Sequence, residues 1–186
     1  MLLPSDEDAS RPAHLSYETF GPGQAAALTG YSLFTKRHAD ANRKPMTEKS
    51  AFTLLHPLRV RWAECDAQGI VFNVNYFLYF DVGMTEWLRA LGFGGGAMLE
   101  FYTVHAEADY KGSARFDEMI HIGMRCARLG RTSMTLEAAI FRGDDVLTQG
   151  KLVYVHAEPK TQTKTPLPED FVARVLEFEK TAPERG

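Results

Sequence analysis

The chain has 186 residues, enough for one ordinary globular domain, and its 45% hydrophobic content supports a buried core. Lys and Arg number 21 against 24 Asp and Glu, a formal net charge of -3, which argues against a dedicated nucleic-acid binder but leaves room for a small basic patch on a phosphorylated ligand. Two cysteines, Cys65 and Cys126, are too few for a disulfide scaffold and form no CxxC motif, so two free thiols in a reducing compartment are expected. The opening MLLPSDEDAS is acidic where a secretory signal needs a basic and then an apolar stretch, and no apolar run is long enough to span a bilayer. The expected location is the cytoplasm.

Residues 1–50 are rich in Pro, Gly, Ala, Asp and Arg and hold no sustained period, with only short apolar pieces such as Tyr31-Ser32-Leu33-Phe34. They are expected to be a poorly ordered extension ahead of one domain over residues 51–180. Met46 reads like the natural start of that domain. From Phe52, FTLLHPLRVRW predicts a strand, bent near Pro57 and ending at Trp62. After the turn-like AECDAQG and IVFN, Tyr76 to Leu91 predicts one long helix. Its apolar face carries Phe77, Phe80, Met84, Trp87, Leu88 and Leu91 at steps of three and four, and Leu78, Tyr79 and Val82 extend burial to other sides. Asn73 or Asn75 is the expected cap, and Gly92 the expected stop.

Four strands are predicted next. Val104, Ala106, Ala108 and Tyr110 alternate in the first; Ile120, Ile122, Met124 and Cys126 in the second; Met134, Leu136, Ala138 and Ile140 in the third. DVLTQGKLVYVHA supplies the fourth, after the turn Gly143-Asp144-Asp145. Short turns between the later strands imply antiparallel hairpins. Pro166 and Pro168 introduce a final helix from Glu169 to about Lys180, with Phe171, Val175 and Phe178 on one side. The economical packing is an α+β one, a curved antiparallel sheet wrapped around the long helix. One such sheet leaves an edge and part of a face uncovered, so a homodimer or homotetramer is expected.

The densest chemical grouping runs from Arg61 to Asn73. Glu64 and Asp66 fall in a tight turn between a strand and a helix start, where a carboxylate can attack a carbonyl or activate water. Gly69 lets the backbone approach a ligand closely. The first helical N–H groups, near Asn73 to Tyr76, lack intrahelical partners and can stabilise a carbonyl oxygen that gains negative charge. The same position also suits Asp66 as a turn or capping residue, and spacing does not choose between the two.

The stretch WAECDAQGIVFNVNYFLYFDVGMTEWLRALG closely resembles the signature of the 4-hydroxybenzoyl-CoA thioesterase family of hotdog-fold acyl-CoA thioesterases: a strand, Asp, two residues, Gly-Ile-Val, then an aromatic-rich helix start. The resemblance covers roughly Phe52 to Leu176, including the closing Pro-Leu-Pro-Glu at 166–169. It implies a hotdog fold and an acyl-CoA substrate, with Asp66 as the catalytic carboxylate, acting as nucleophile or general base. It also implies that N–H groups near Asn73 and Val74 polarise the thioester carbonyl, with Gly69, Val74 and Tyr76 as substrate contacts. Some family members carry Tyr or His at the position of Asn73; Asn73 cannot act as a base near neutral pH and would position water or substrate. Coenzyme A needs basic groups, which the family places near strand ends, often from the partner subunit. Arg128 and Arg131, taken as a pair, match this, with Arg125 and Lys111 nearby. No metal or redox cofactor is implied; coenzyme A arrives as part of the substrate.

Weaker signals receive plainer readings. Cys65 has no His suitably placed in sequence and reads as a packed thiol. His105, Glu107 and Asp109 share a strand face without a companion ligand motif, so a polar or dimer-facing surface is expected and no metal. The run from Gly92 to Gly96 follows a helix, the reverse of a dinucleotide loop. Glu86 is the helix carboxylate to watch as a second polar residue, although a solvated or ion-paired role suits it better. A hotdog dehydratase would pair a His with an acid, and no His occurs from 57 to 104. A non-catalytic acyl-CoA or acyl-carrier binding module is the remaining alternative.

Overall fold

The computed structural model describes residues 48–94 and 100–186. Most of the extension read over residues 1–50, and Gly95 and Gly96 of the glycine run, lie outside the described residues. The chain forms β1 (Leu54–Arg59), a short 3-10 turn (Trp62–Glu64), α1 (Asn75–Ala90), β2 (Phe101–Tyr110), β3 (Met119–Leu129), β4 (Ser133–Arg142), β5 (Asp145–His156), α2 (Glu169–Phe178) and β6 (Glu184–Arg185). The sheet order is β1-β3-β4-β5-β2, antiparallel throughout, and the two residues of β6 add in parallel to the end of β3. β3, β4 and β5 are joined by tight hairpins. The crossover through α1 carries the chain from one edge of the sheet to the other.

The helix lies on the sheet through Tyr76, Tyr79, Phe80, Gly83, Met84, Trp87 and Leu88, all buried and spaced by threes and fours. Leu78, by contrast, is 57% exposed. Gly83 is in the stripe because α1 presses directly on β3. A Cβ there would stand 2.6 Å from Ile122 Cγ2 and 3.0 Å from Met124 Cε. Gly83→Val is therefore expected to cost about 1–3 kcal/mol by overpacking, read as a lower melting temperature. The other face of the sheet carries a smaller cluster of Phe52, Ala139 and Phe141, backed by Leu55 and Val146.

The two sheet edges differ. On the β3 side, β1 pairs as far as Met124, and Pro57 is tolerated because β1 is an edge strand. At Cys126 the register with β4 shifts, and β6 takes over from Arg128. The gap is filled by Glu179, at the end of α2, whose Oε1 accepts the Cys126 N–H (2.7 Å) and the Trp87 indole N–H (2.9 Å). Burial pushes this carboxyl above its ordinary range despite those bonds. On the β2 side the expected alternation fails from Thr103 to Ala106, all four exposed. The register slips between Thr103 and His105, so Val104 drops out of the ladder and is 59% exposed. A bulge of this kind re-aims a side chain at a sheet edge.

The predicted strand to Trp62 ends earlier, at Arg59. The Arg61 N–H donates to the Glu64 carboxylate and the Glu64 N–H to the Arg61 carbonyl, which turns the chain and leaves Trp62 75% exposed, its ring edge-on to Phe116.

Candidate active site

Residues 61–75 form a compact loop between β1 and α1. Asp66 opens its tip. The Asp66 N–H donates to the Ile70 carbonyl (2.9 Å) and the Gly69 N–H to the Asp66 carbonyl (3.0 Å). Gly69 has φ +73°, the left-handed conformation that closes a three-residue turn and that a side chain would strain. The Asp66 Oδ1 accepts the Gln68 N–H at 2.8 Å, the local bond that makes Asp a good turn-former. Among the described residues Oδ2 has no partner, and the side chain is only half-buried.

Beyond the tip, Cys65 bridges Val71, Ile70 bridges Arg115, and the Val71 N–H donates to the Ala114 carbonyl. The chain then turns into α1. Neither Asn73 nor Asn75 caps the helix through its side chain; the N-cap is Val74, already in helical conformation. The Asn75 amide instead reaches the Glu64 carbonyl (2.8 Å), because the loop folds back over the helix start. The N–H groups of Asn75, Tyr76 and Phe77 donate to the carbonyls of Phe72, Asn73 and Val74. The expected set of open N–H groups therefore shrinks: among the described residues, only those of Asn73 and Val74 at this turn reach no acceptor. The Asn73 carbonyl is held by the Tyr110 hydroxyl (2.9 Å), which ties the turn to β2.

Gly69 is exposed in the turn that Asp66 opens, and Val74 is exposed next to Asn73 at the helix start. Tyr76 is placed in the core, 2% exposed, with its hydroxyl accepting the Ala114 N–H (2.9 Å). Arg128 and Arg131 are exposed but are not brought to Asp66 within the chain. β3 begins beside the loop, where Val60 exchanges backbone bonds with Asp117 and Glu118, and its 11 residues carry the β3–β4 turn roughly 35 Å away. Of the basic residues, Arg61 lies in the loop and Arg115 bridges Ile70; nothing in the sequence spacing marks Arg115.

The remaining candidates have ordinary surroundings. Cys126 is fully buried and its thiol is pushed up to about 12 by burial, which makes it unreactive. Cys65 packs against the core. Glu86 pairs with Arg89, one turn along α1, and His105 lies 3.5 Å from Glu107.

An antiparallel sheet wrapped over one long helix, with a carboxylate turn beside the helix N-terminus, is the hotdog architecture of thioester hydrolases. The family model described as the thioesterase superfamily matches residues 68–149. A protein of Aquifex aeolicus (strain VF5), recorded under an esterase name, is 34% identical over 90 residues, covering 46% of this chain and 70% of the relative. The acyl-CoA thioester hydrolase YbgC of Escherichia coli O6:H1 is 25% identical over 122 residues, covering 63% of this chain and 91% of its own. The crystal structure of the PA5185 protein from Pseudomonas aeruginosa strain PAO1 superposes with a TM-score of 0.65 at 25% identity, covering 73% of this chain and 97% of that one. The chain belongs to the thioesterase superfamily and is a thioester hydrolase.

Proposed function

We propose that the chain hydrolyses an acyl-CoA to the free acid and coenzyme A, with Asp66 as the reacting carboxylate. The observation that carries this is the pairing, on one loop, of a half-buried carboxylate oxygen without a partner and two open backbone N–H groups at Asn73 and Val74. Those N–H groups would hold the thioester oxygen and stabilise it as charge develops. With Asp66 as general base, water adds to the carbonyl carbon, Asp66 takes its proton, and collapse of the tetrahedral adduct expels the coenzyme A thiolate. With Asp66 as nucleophile, the thiolate leaves first and water then cleaves the resulting anhydride. Asn73 positions water or substrate, and no metal or redox group takes part in either route.

A site completed by a second subunit fits the same loop. Phe72, Val74 and Leu78 are 49%, 54% and 57% exposed around the helix start, and the free β2 edge carries Val104. Pairing of two copies over this face would cover an apolar patch that a lone monomer rarely leaves open. It would also allow Arg128 and Arg131 of a partner to meet the coenzyme A phosphates. Light scattering is expected to report at least a dimer, and a fully active monomer at low concentration would refute this assembly.

One observation favours the binding-module alternative: the Oδ1 bond to Gln68 gives Asp66 a sufficient structural role. Free-thiol release across aromatic, short-chain and long-chain acyl-CoAs separates the two. Turnover on at least one member is expected; tight binding of every member without thiol release would leave a binder.

A further inference from the structure

Glu64 precedes Asp66 by two residues, and its contacts exceed those of any other side chain in the loop. Its side chain is 9% exposed. Oε2 accepts the Arg61 N–H (2.7 Å) and the Tyr79 hydroxyl (2.8 Å), Oε1 accepts the Arg61 Nε–H (2.7 Å), and a second guanidinium nitrogen of Arg61 pairs with it. Its own carbonyl accepts the Phe72 N–H (2.9 Å) and the Asn75 amide (2.8 Å). One residue thus holds the chain before the Asp66 turn, the chain after it, the first residue of α1 and the next turn of the same helix. Phe72 immediately precedes Asn73, so both halves of the reactive pair hang from Glu64 by one or two residues.

On the reading of Asp66 given above, we propose that Glu64 is a positioning residue for thioester hydrolysis, setting Asp66 against the Asn73 and Val74 amides. The arrangement is poor as a device for stability alone. The carboxylate is sunk toward Tyr79 while its partner Arg61 is 70% exposed, and a pair with one arm in water contributes little. Its value is geometric, since bonds to an ionised acceptor are short and directional. The group does stay ionised: burial opposes the charge, but the bonds from Arg61 and Tyr79 outweigh it and hold the carboxyl below its ordinary 4.5. Burial and the nearby carboxylate push the Tyr79 phenol far up, so it remains a donor.

The test compares Glu64→Gln, Tyr79→Phe and Asp66→Asn on the acyl-CoA that the parent cleaves fastest, at a temperature well below every melting transition. Glu64→Gln is expected to lower kcat about 10- to 100-fold, the scale of a small misplacement of reacting groups, with KM within about twofold. Tyr79→Phe should give a smaller loss in the same direction. Added to Asp66→Asn, neither change should reduce the residual rate further, because no carboxylate remains to be aimed; a merely structural role would lower both backgrounds by the same factor. Parental kcat in Glu64→Gln and Tyr79→Phe beside an inactive Asp66→Asn would overturn the positioning role and leave Asp66 in place. An active Asp66→Asn would overturn both. If Glu64→Gln does not fold, Tyr79→Phe with and without Asp66→Asn decides.

Discussion

Asp66→Asn is expected to lower acyl-CoA turnover by about two orders of magnitude or more, a common minimum for loss of a general base. The substitution is nearly blank structurally. Oδ1 is the atom that receives the Gln68 N–H, and an amide oxygen can receive the same bond, so the turn ending at Gly69 should survive. Only the negative charge and the basicity of the other oxygen are lost. Substrate affinity should change little, and the melting temperature should move by no more than about 1 kcal/mol would produce. If Asp66 is only a turn residue, the pattern inverts, with turnover near parental and the change confined to stability. Thiol release and thermal melting on the same sample distinguish the two.

The largest stability loss is expected at Trp87. Its ring is fully buried, packs edge-on to Phe171 of α2, and donates its N–H to Glu179. Trp87→Ala should cost roughly 3–5 kcal/mol, the range for emptying a large aromatic site. Trp87→Phe keeps most of the packing and removes only the donor, so a loss of about 1–3 kcal/mol is expected. That smaller loss should depend on pH. The folded carboxyl of Glu179 lies above its unfolded value, so this group destabilises the fold increasingly as pH rises through the interval between the two and ionises it. Without the indole N–H the ionised form is served less well. The gap between Trp87→Phe and parent should therefore be smallest while the Glu179 carboxyl is protonated and widen as pH rises through its folded pKa. A gap independent of pH, in denaturant titrations, would show that packing alone accounts for the loss.

Which features could be read in advance follows from the range of the interactions involved. The face of α1, the hairpins of β3 to β5 and the Asp-Ala-Gln-Gly turn rest on bonds and periodicities within a few residues, and these were legible. Gly83 was not, because an apolar stripe shows a glycine only as a missing side chain; its role depends on Ile122 and Met124, which the sheet brings beneath it. Glu64 was visible as an acid in a turn, but the donor that identifies it as buried, Tyr79, lies 15 residues on. Glu179 meets Trp87 across 92 residues, and in sequence it resembles any solvated helix-end carboxylate. The resemblance already pointed to the amides near Asn73 and Val74; what local sequence did not show is that the next three, of Asn75, Tyr76 and Phe77, bond backward and are closed. Where Arg128 and Arg131 fall along the sheet was not legible, because a charged turn carries no record of which end of the sheet it occupies.

The patchwork edge of β3 bears on how the chain is made. β1 is synthesised early, yet the rest of that edge waits for Glu179, which takes the Cys126 N–H, and for Glu184–Arg185, which take the final rung. A chain emerging from the ribosome in N-to-C order therefore exposes a hairpin sheet with an open notch until residues 179–185 clear the exit tunnel. During that interval Cys126 and Arg128 offer backbone groups to any passing strand. Docking of residues 179–185, rather than pairing of the hairpins, is then the step that seals this edge against its neighbours.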